Sequence, residues 1–361
     1  MKRVGNIYSR ITSKENIAKA FTNAAKGKHE RKVVKDIWEK FDYYVGEVQK
    51  MLENKTYTPS PYIILKIQDG TRKKERIIFK PRFYPDQVIH WALMQQIEPI
   101  MMKGMYDLCC ASVRNRGIKR ASNYLKKNLV NDRKNTKYCL KLDIKKFYPN
   151  LDKEILKQKF RKKIKDNDVL HLLDMIIDSS EEGVPIGNYT SQWFANFYLQ
   201  DLDHYIKEKL QVKHYVRYMD DMLLFHRNKK ELHKIRLAVN EFLEKEHLKI
   251  KENWQLFKVD SRPLDFIGYR FYRGYTTLRD SNFLRIKRRI KKVYKKGKIN
   301  YLDASAIISY VGWLKHCDSH IFKEKYLDPY INIKKCKGVV RYASKNFQFR
   351  KTSNTFQNRK H

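Results

Sequence analysis

Two adjacent aspartates, Asp220 and Asp221, stand inside an apolar, β-prone run, His-Tyr-Val-Arg-Tyr-Met-Asp-Asp-Met-Leu-Leu-Phe, residues 214–225. β-Branched and aromatic residues on both sides of a short polar break predict a tight hairpin with the acids at its turn. Adjacent carboxylates repel each other, and aspartate is a poor strand residue. A bound divalent cation would offset that repulsion. The ordinary reading of such a pair is a solvated turn, because aspartate favours turns for local reasons. The rest of the chain decides between the two.

The chain carries 78 Lys and Arg against 39 Asp and Glu, a formal charge of +39 spread over its whole length. A compact protein with that charge repels itself and calls for a polyanionic partner, nucleic acid first. An anionic membrane surface fits less well, since no basic amphipathic terminal helix supports it and no apolar stretch is long enough to span a bilayer. The first residues have charge but no apolar core, so they read as no secretory signal. The 24 Tyr and 18 Phe can stack on bases, although most are expected in the core. Cys109, Cys110, Cys139, Cys317 and Cys336 form no C-x-x-C pair; they read as reduced thiols of a cytoplasmic protein, not a zinc site.

At 361 residues the chain makes one elaborate domain or two to three subdomains. Apolar spacing over 34–52 predicts one amphipathic helix. Tyr62 to Ile67 and Thr71 to Phe79 read as strands of a hairpin turning at Asp69-Gly70, the second densely basic. Pro85-Asp86 opens a helix to about Met102. A short strand begins near Tyr138 and ends at Asp143-Ile144. Asp152 caps a helix to about Lys165, Ser191 to Leu210 is a helix, and another runs from Lys229 to Glu246. Short strands around 264–271 precede basic helices from Phe283, and the last fifteen or so residues read as a tail. The pattern is α+β: a small antiparallel sheet backed by helices.

Phosphoryl transfer by two metal ions needs them about 4 Å apart, held by carboxylates from different rigid elements. Asp143 at a strand end, with Asp220 and Asp221 at a turn 77 residues later, meets that need.

On these residues the chain resembles reverse transcriptases. Leu140-Lys-Leu-Asp143-Ile-Lys-Lys-Phe-Tyr148 looks like their first catalytic motif and Tyr218-Met-Asp-Asp221 like their second. Gly183-Val-Pro-Ile-Gly-Asn-Tyr-Thr-Ser-Gln192 stands where they carry a nucleotide-pocket loop. Leu264 to Phe271 resembles the primer-grip hairpin, and Lys74, Arg76 and Lys80-Pro81-Arg82 the segment that meets the triphosphate. The resemblance covers roughly residues 60 to 320. Ile186 stands where most such enzymes have Gln, and the loop ends in Ser-Gln; both features resemble the reverse transcriptases of diversity-generating retroelements.

The resemblance implies a right-hand polymerase fold. Residues 1–137 would be an N-terminal region and fingers (part of 86–110 shared with the palm), 138–152 palm, 153–190 fingers, 191–280 palm, 281–338 thumb and 339–361 a basic tail. It implies two Mg2+ ions on Asp143, Asp220, Asp221 and the Ile144 carbonyl. Lys74, Arg76, Tyr148, Ile186 and Gly187 would meet the nucleotide, and Arg114, Arg116, Ser191, Gln192, Tyr218 and Gly268 the template and primer. The implied activity is RNA-directed DNA synthesis, making adenine-mutagenised cDNA from a template-repeat RNA to diversify a target gene. The partners would be the RNA template, a DNA or RNA primer, deoxynucleoside triphosphates and a basic accessory variability protein oligomer, in a bacterial or phage-encoded cytoplasmic system. Alternatives are a group II intron-like, retron or phage-defence enzyme, the first disfavoured because the chain ends soon after the thumb and the retron because no Val-Thr-Gly stands in that region. A non-catalytic RNA-binding protein is the reading from another class, and the intact carboxylates speak against it.

Each residue also has a plainer reading. Tyr148 is an ordinary core aromatic or, by strand alternation, a ring beside the sugar that excludes a 2′-hydroxyl. Lys74 and Arg76 are a solvated strand edge or triphosphate ligands, a task that the planar guanidinium suits. The loop 114–120 and the run Arg285 to Lys292 are solvated faces or phosphate tracks. Tyr310, Trp313 and Leu314 are expected in the core. Asp201 and Asp203 are expected on a helix surface, and His214 and His226 are structural or exposed.

Overall fold

The computed structural model describes residues 3–69 and 74–343. They form two compact units, one of residues 1–121 and 138–257, the other of 122–137 and 258 onward. The architecture is α+β, as expected. The hairpin turn at Gly70 and the last 18 residues of the tail lie outside the described residues.

A four-stranded sheet organises the first unit. It contains β3 (Tyr138–Asp143), β4 (His214–Tyr218), β5 (Asp221–His226) and β6 (Gln255–Lys258), in the order β4-β5-β3-β6. Both β4 and β5 pair antiparallel with their neighbours, and Asp143 stands opposite Asp221 in the register. The inner residues of β5, Met222 to Phe225, are all buried. Helices cover the sheet, which is why its strands read as continuous apolar runs and not as alternation. Lys229–Lys245 packs on β3 and β5, placing Leu232, Val239 and Leu243 in the core.

Separate from that sheet, β1 (Ile63–Asp69) and β2 (Lys74–Lys80) form the expected antiparallel hairpin. Ile64 and Ile67 are exposed, so side-chain burial contributes little to this ribbon, and two-stranded ribbons are marginal alone.

Three expected helices are divided differently. The apolar stripe over 34–52 is carried by two helices, Lys32–Glu39 and Phe41–Glu53, broken at Lys40, whose backbone leaves the helical region (φ −124°, ψ 44°). Ser191 to Leu210 is Tyr189–Tyr198 followed by two short turns, Gln200–His204 and Tyr205–Lys209. The helix capped by Asp152, whose carboxylate accepts from the Ile155 amide at 2.9 Å, stops at Arg161. Periodicity reports which face is apolar; it does not register a local backbone break.

The second unit has β7 (Leu264–Phe266), β8 (Tyr269–Phe271) and β9 (Thr276–Leu278) in that order. Ile267 and Gly268, both with positive φ (46° and 87°), make the β7–β8 turn, as a two-residue hairpin of this hand requires. Asp280–Lys295 buries Ile286, Ile290 and Val293. Tyr301–Leu314 buries Ala304, Ile307 and Leu314. Asp303 of that helix is buried and takes Arg289 at 2.8 Å and Lys296 at 2.9 Å. The five cysteines are free thiols.

Candidate active site

The register of three strands brings the acids together. Asp143 ends β3, Asp221 opens β5 directly opposite, and Asp220 is the second residue of the two-residue turn between β4 and β5. Met219, the first turn residue, has φ 58°, a conformation that glycine or asparagine usually supplies.

Crowding shows in the acids' protonation. Burial, reinforced by the Asp143 charge, pushes the Asp220 carboxyl up to about 6. Burial also pushes Asp221 up to about 7; Lys141 opposes this, while Asp143 and Asp220 add to it. Two lysines hold the outer pair: Lys251 Nζ lies 2.6 Å from Asp143 Oδ1, and Lys141 Nζ 3.6 Å from Asp221 Oδ2. Asp221 Oδ1 is buried with no hydrogen-bond partner.

Among the described residues no three acidic, histidine or cysteine side chains are already drawn into a metal cage. The donors nonetheless fit a hard divalent cation: three carboxylates, two of them with weakened acidity, and an oxygen left without a donor. Beside them the Ile144 side chain is fully buried, and its backbone bridges antiparallel to Ile250. This bridge and the Lys251 amide, which donates to the Asp143 carbonyl at 2.8 Å, keep residues 249–251 beside the strand end and so deliver Lys251.

Tyr148 reaches the site by a route that strand alternation does not describe. The strand ends at Asp143, and the chain turns through Lys146, with φ 45°. The ring is half-buried, and its hydroxyl is held well above the usual range by burial and then by Asp220. Gly183, with φ 46°, lies against this turn; a Cβ there would stand 2.1 Å from the Tyr148 carbonyl oxygen and 2.6 Å from that of Pro149. The Val184 amide donates to the Tyr148 carbonyl at 3.0 Å. Glycine at 183 is therefore a packing requirement between the loop and the acid-bearing turn.

The same loop anchors the exposed hairpin. The Phe79 amide of β2 donates to the Ile186 carbonyl at 2.7 Å. Gly187, with φ 125°, passes so close that a Cβ would meet the Phe79 oxygen at 2.6 Å. Asn188 Nδ2 donates to the Tyr62 hydroxyl at 2.8 Å, and Tyr62 and Ser179 share a 2.6 Å hydrogen bond. Ile186 is half-buried, Ser191 buried and Gln192 exposed. Arg76 lies on β2 with its side chain exposed, whereas the Lys74 side chain lies outside the described residues.

The basic loop is more engaged than its composition suggests. Arg116 Nη1 donates to the carbonyls of Tyr106 and Cys109, the latter at 3.2 Å, and so holds the loop together. Arg114 extends outward with its Nε 3.4 Å from Glu98. Tyr218 pairs with Asp221 across the turn and is half-buried. Gly268 belongs to the second unit, where a Cβ would meet Asn282 Nδ2 at 2.8 Å.

Asp203 is the clear correction. Expected on a helix surface, it is completely buried and ion-paired with Arg217 at 2.5 Å. Asp201 does face solvent, 2.6 Å from Lys159. The sequence held a signal for the buried pair: Arg217 interrupts an apolar strand, and a charge there needs a partner. Lys251 carried no local signal, since 108 residues separate it from Asp143.

A family model described as reverse transcriptase (RNA-dependent DNA polymerase) matches residues 71–271, more than half of the chain. A curated relative, the retron Ec73 reverse transcriptase of Escherichia coli, is 27% identical over 179 residues, 46% of this chain and 52% of that protein. The chain thus aligns with about half the length of that relative. Among solved structures, an apo telomerase from Candida tropicalis, truncated from its C-terminal domain, aligns with TM-score 0.44 and 14% identity, over 63% of this chain and 57% of that one. Telomerase from Candida albicans with a fragment of telomeric RNA aligns with TM-score 0.46 and 13% identity, over 73% and 54%.

Proposed function

The chain belongs to the reverse transcriptase (RNA-dependent DNA polymerase) family, with its right-hand polymerase fold, and on that premise we propose that it copies RNA into DNA from a primer end. The observation that carries this is the convergence of Asp143, Asp220 and Asp221 at one end of the central sheet. In this reading that sheet is the palm, the β1–β2 hairpin and 153–190 belong to the fingers, and the basic helices from Asp280 onward form the thumb.

Magnesium held by the three aspartates and the Ile144 carbonyl would activate the primer 3′-hydroxyl and neutralise the leaving pyrophosphate. The protein's own groups prepare that place. Lys251 and Lys141 hold two carboxylates in position and are the cations that incoming metal would displace. Tyr148, beside Asp220, borders the sugar and disfavours a 2′-hydroxyl. Arg76, with Lys74 as its expected neighbour, faces the triphosphate from the hairpin, and the loop at Ile186 and Gly187 fixes the hairpin's base. Template and primer contacts are proposed for Arg114, Arg116, Ser191, Gln192 and Tyr218 of the first unit and, separately, for Gly268 of the second.

The finer reading is mutagenic cDNA synthesis for gene diversification, supported by Ile186. An aliphatic side chain there offers no hydrogen bond to a nucleotide or template group, so one constraint on pairing geometry is missing. A basic accessory protein, joined through shared RNA, and a cytoplasmic setting go with that reading. The retron relative supports a second one, a retron-type reverse transcriptase without the adenine-directed errors.

Primer extension on defined RNA tests both levels. Extension should occur and should vanish in Asp220→Asn while thermal melting shows the fold retained; an active Asp220→Asn enzyme would sink the proposal. Sequencing the product should show errors concentrated opposite template adenines. An unbiased, faithful product would favour the retron reading.

A further inference from the structure

The strand that delivers the acidic turn carries a charge in its middle. Arg217 and Asp203 are both fully buried, with side chains 0% exposed. Their contact is bidentate, Nε to Oδ1 at 2.7 Å and Nη2 to Oδ2 at 2.5 Å. The Tyr215 hydroxyl adds a third donor to Asp203 at 2.8 Å. Desolvating two charges costs several kcal/mol per ion, and apolar residues of equal volume are often as stable or more so. Stability alone therefore gives little reason for the pair.

The remaining donors point to what the pair holds. Arg217 Nη1 donates to the Met219 carbonyl at 3.2 Å and to Asn196 Oδ1 at 3.1 Å, and Nη2 donates to the Asn196 carbonyl at 3.3 Å. Asn196 Nδ2 is fixed in turn by the Ala111 carbonyl at 2.8 Å. Met219 is the residue with φ 58° that begins the turn. Its carbonyl belongs to the peptide plane shared with Asp220, so a donor on that oxygen sets how the plane, and the acids after it, are presented.

We propose that Arg217 is a positioning residue for the acidic turn: Asp203 and Asn196 orient its guanidinium, and the guanidinium holds the Met219 carbonyl. This rests on the polymerase reading, because it assigns the turn a task.

The test separates positioning from mere support. Asp203→Leu, Tyr215→Phe and Arg217→Met together remove the network and leave no charge unpaired. The triple variant should melt near the wild-type temperature, yet extend primers about 100-fold more slowly, the cost expected of a misplacement of about 1 Å. It should also bind Mn2+, followed by electron paramagnetic resonance without nucleic acid, at least about tenfold more weakly. A stable triple variant with wild-type extension and Mn2+ affinity overturns the proposal.

If the triple variant melts too low to assay, Arg217→Lys decides. Lysine keeps the charge beside Asp203 but lacks the fork that also reaches Met219. Its control is Leu243→Ala, a core truncation in Lys229–Lys245, with both assayed equally far below their melting temperatures. Activity and Mn2+ affinity per folded molecule should fall at least about tenfold in Arg217→Lys relative to the control; equality refutes the role. Wild-type protein that binds Mn2+ and extends no primer would defeat the polymerase reading instead, leaving the Mn2+ comparison to judge Arg217.

Discussion

Removing one acid of the proposed metal site should make the metal-free protein more stable. Asp221 is the acid to change, because burial pushes its carboxyl from 3.8 to about 7. That difference, about 3, corresponds to about 4 kcal/mol at roughly 1.4 kcal/mol each. The sign follows from linkage. A carboxyl whose folded pKa is raised contributes stability that is complete below its unfolded pKa and is lost as pH rises through the folded value. At pH 8 the wild-type, metal-free protein therefore carries the whole penalty. Asp221→Asn keeps the side chain's size and removes the charge. It also gives up the 3.6 Å contact with Lys141, and it places a carboxamide where one carboxylate oxygen had no donor, so about 2 kcal/mol of net gain is expected. For a unit of this size that is a rise of roughly 4–8 °C in melting temperature. Thermal melts in EDTA at pH 8 and pH 5 read it out: the gap should be wide at pH 8 and narrow at pH 5. Added Mg2+ should also narrow it at pH 8, by stabilising the wild type alone. A variant that melts at or below wild type at pH 8 in EDTA, or a gap that ignores pH, would refute the reasoning.

Three further outcomes follow from the site. Tyr148→Ala should accept ribonucleotides about tenfold more readily or better in single-nucleotide incorporation; unchanged discrimination rejects the sugar-gate role. Gly183→Ala forces a Cβ into the Tyr148 and Pro149 carbonyls at a positive φ, and should cost at least about 2 kcal/mol by denaturant titration. Ile186→Gln should lower misincorporation opposite template adenine in sequenced products, and an unchanged error spectrum would remove the link between this side chain and fidelity.

The sequence by itself placed the three acids and pointed to the proposed chemistry. Two acids at a turn between apolar strands, with a third at a strand end, are a local pattern, and local patterns survive in a linear reading because pairing register and turn length follow from the residues themselves. The +39 charge likewise belongs to composition and needs no fold to point at nucleic acid. Helix continuity was less legible: the break at Lys40 is a backbone event that apolar spacing does not record. Tyr148 comes near Asp220 through a turn at Lys146, which takes a positive φ, and not through strand alternation.

Tertiary structure alone decided what surrounds the acids. Lys251 reaches Asp143 across 108 residues, Gly183 is required by a carbonyl from another segment, and Asn188 meets Tyr62 across 126. Asp203, which looks from its neighbours like a surface acid, is buried because the fold sets it against Arg217. Such partners are chosen by the packing of distant segments, where a buried charge or a missing Cβ is satisfied by whatever the chain brings alongside, and nothing in the local sequence names that partner.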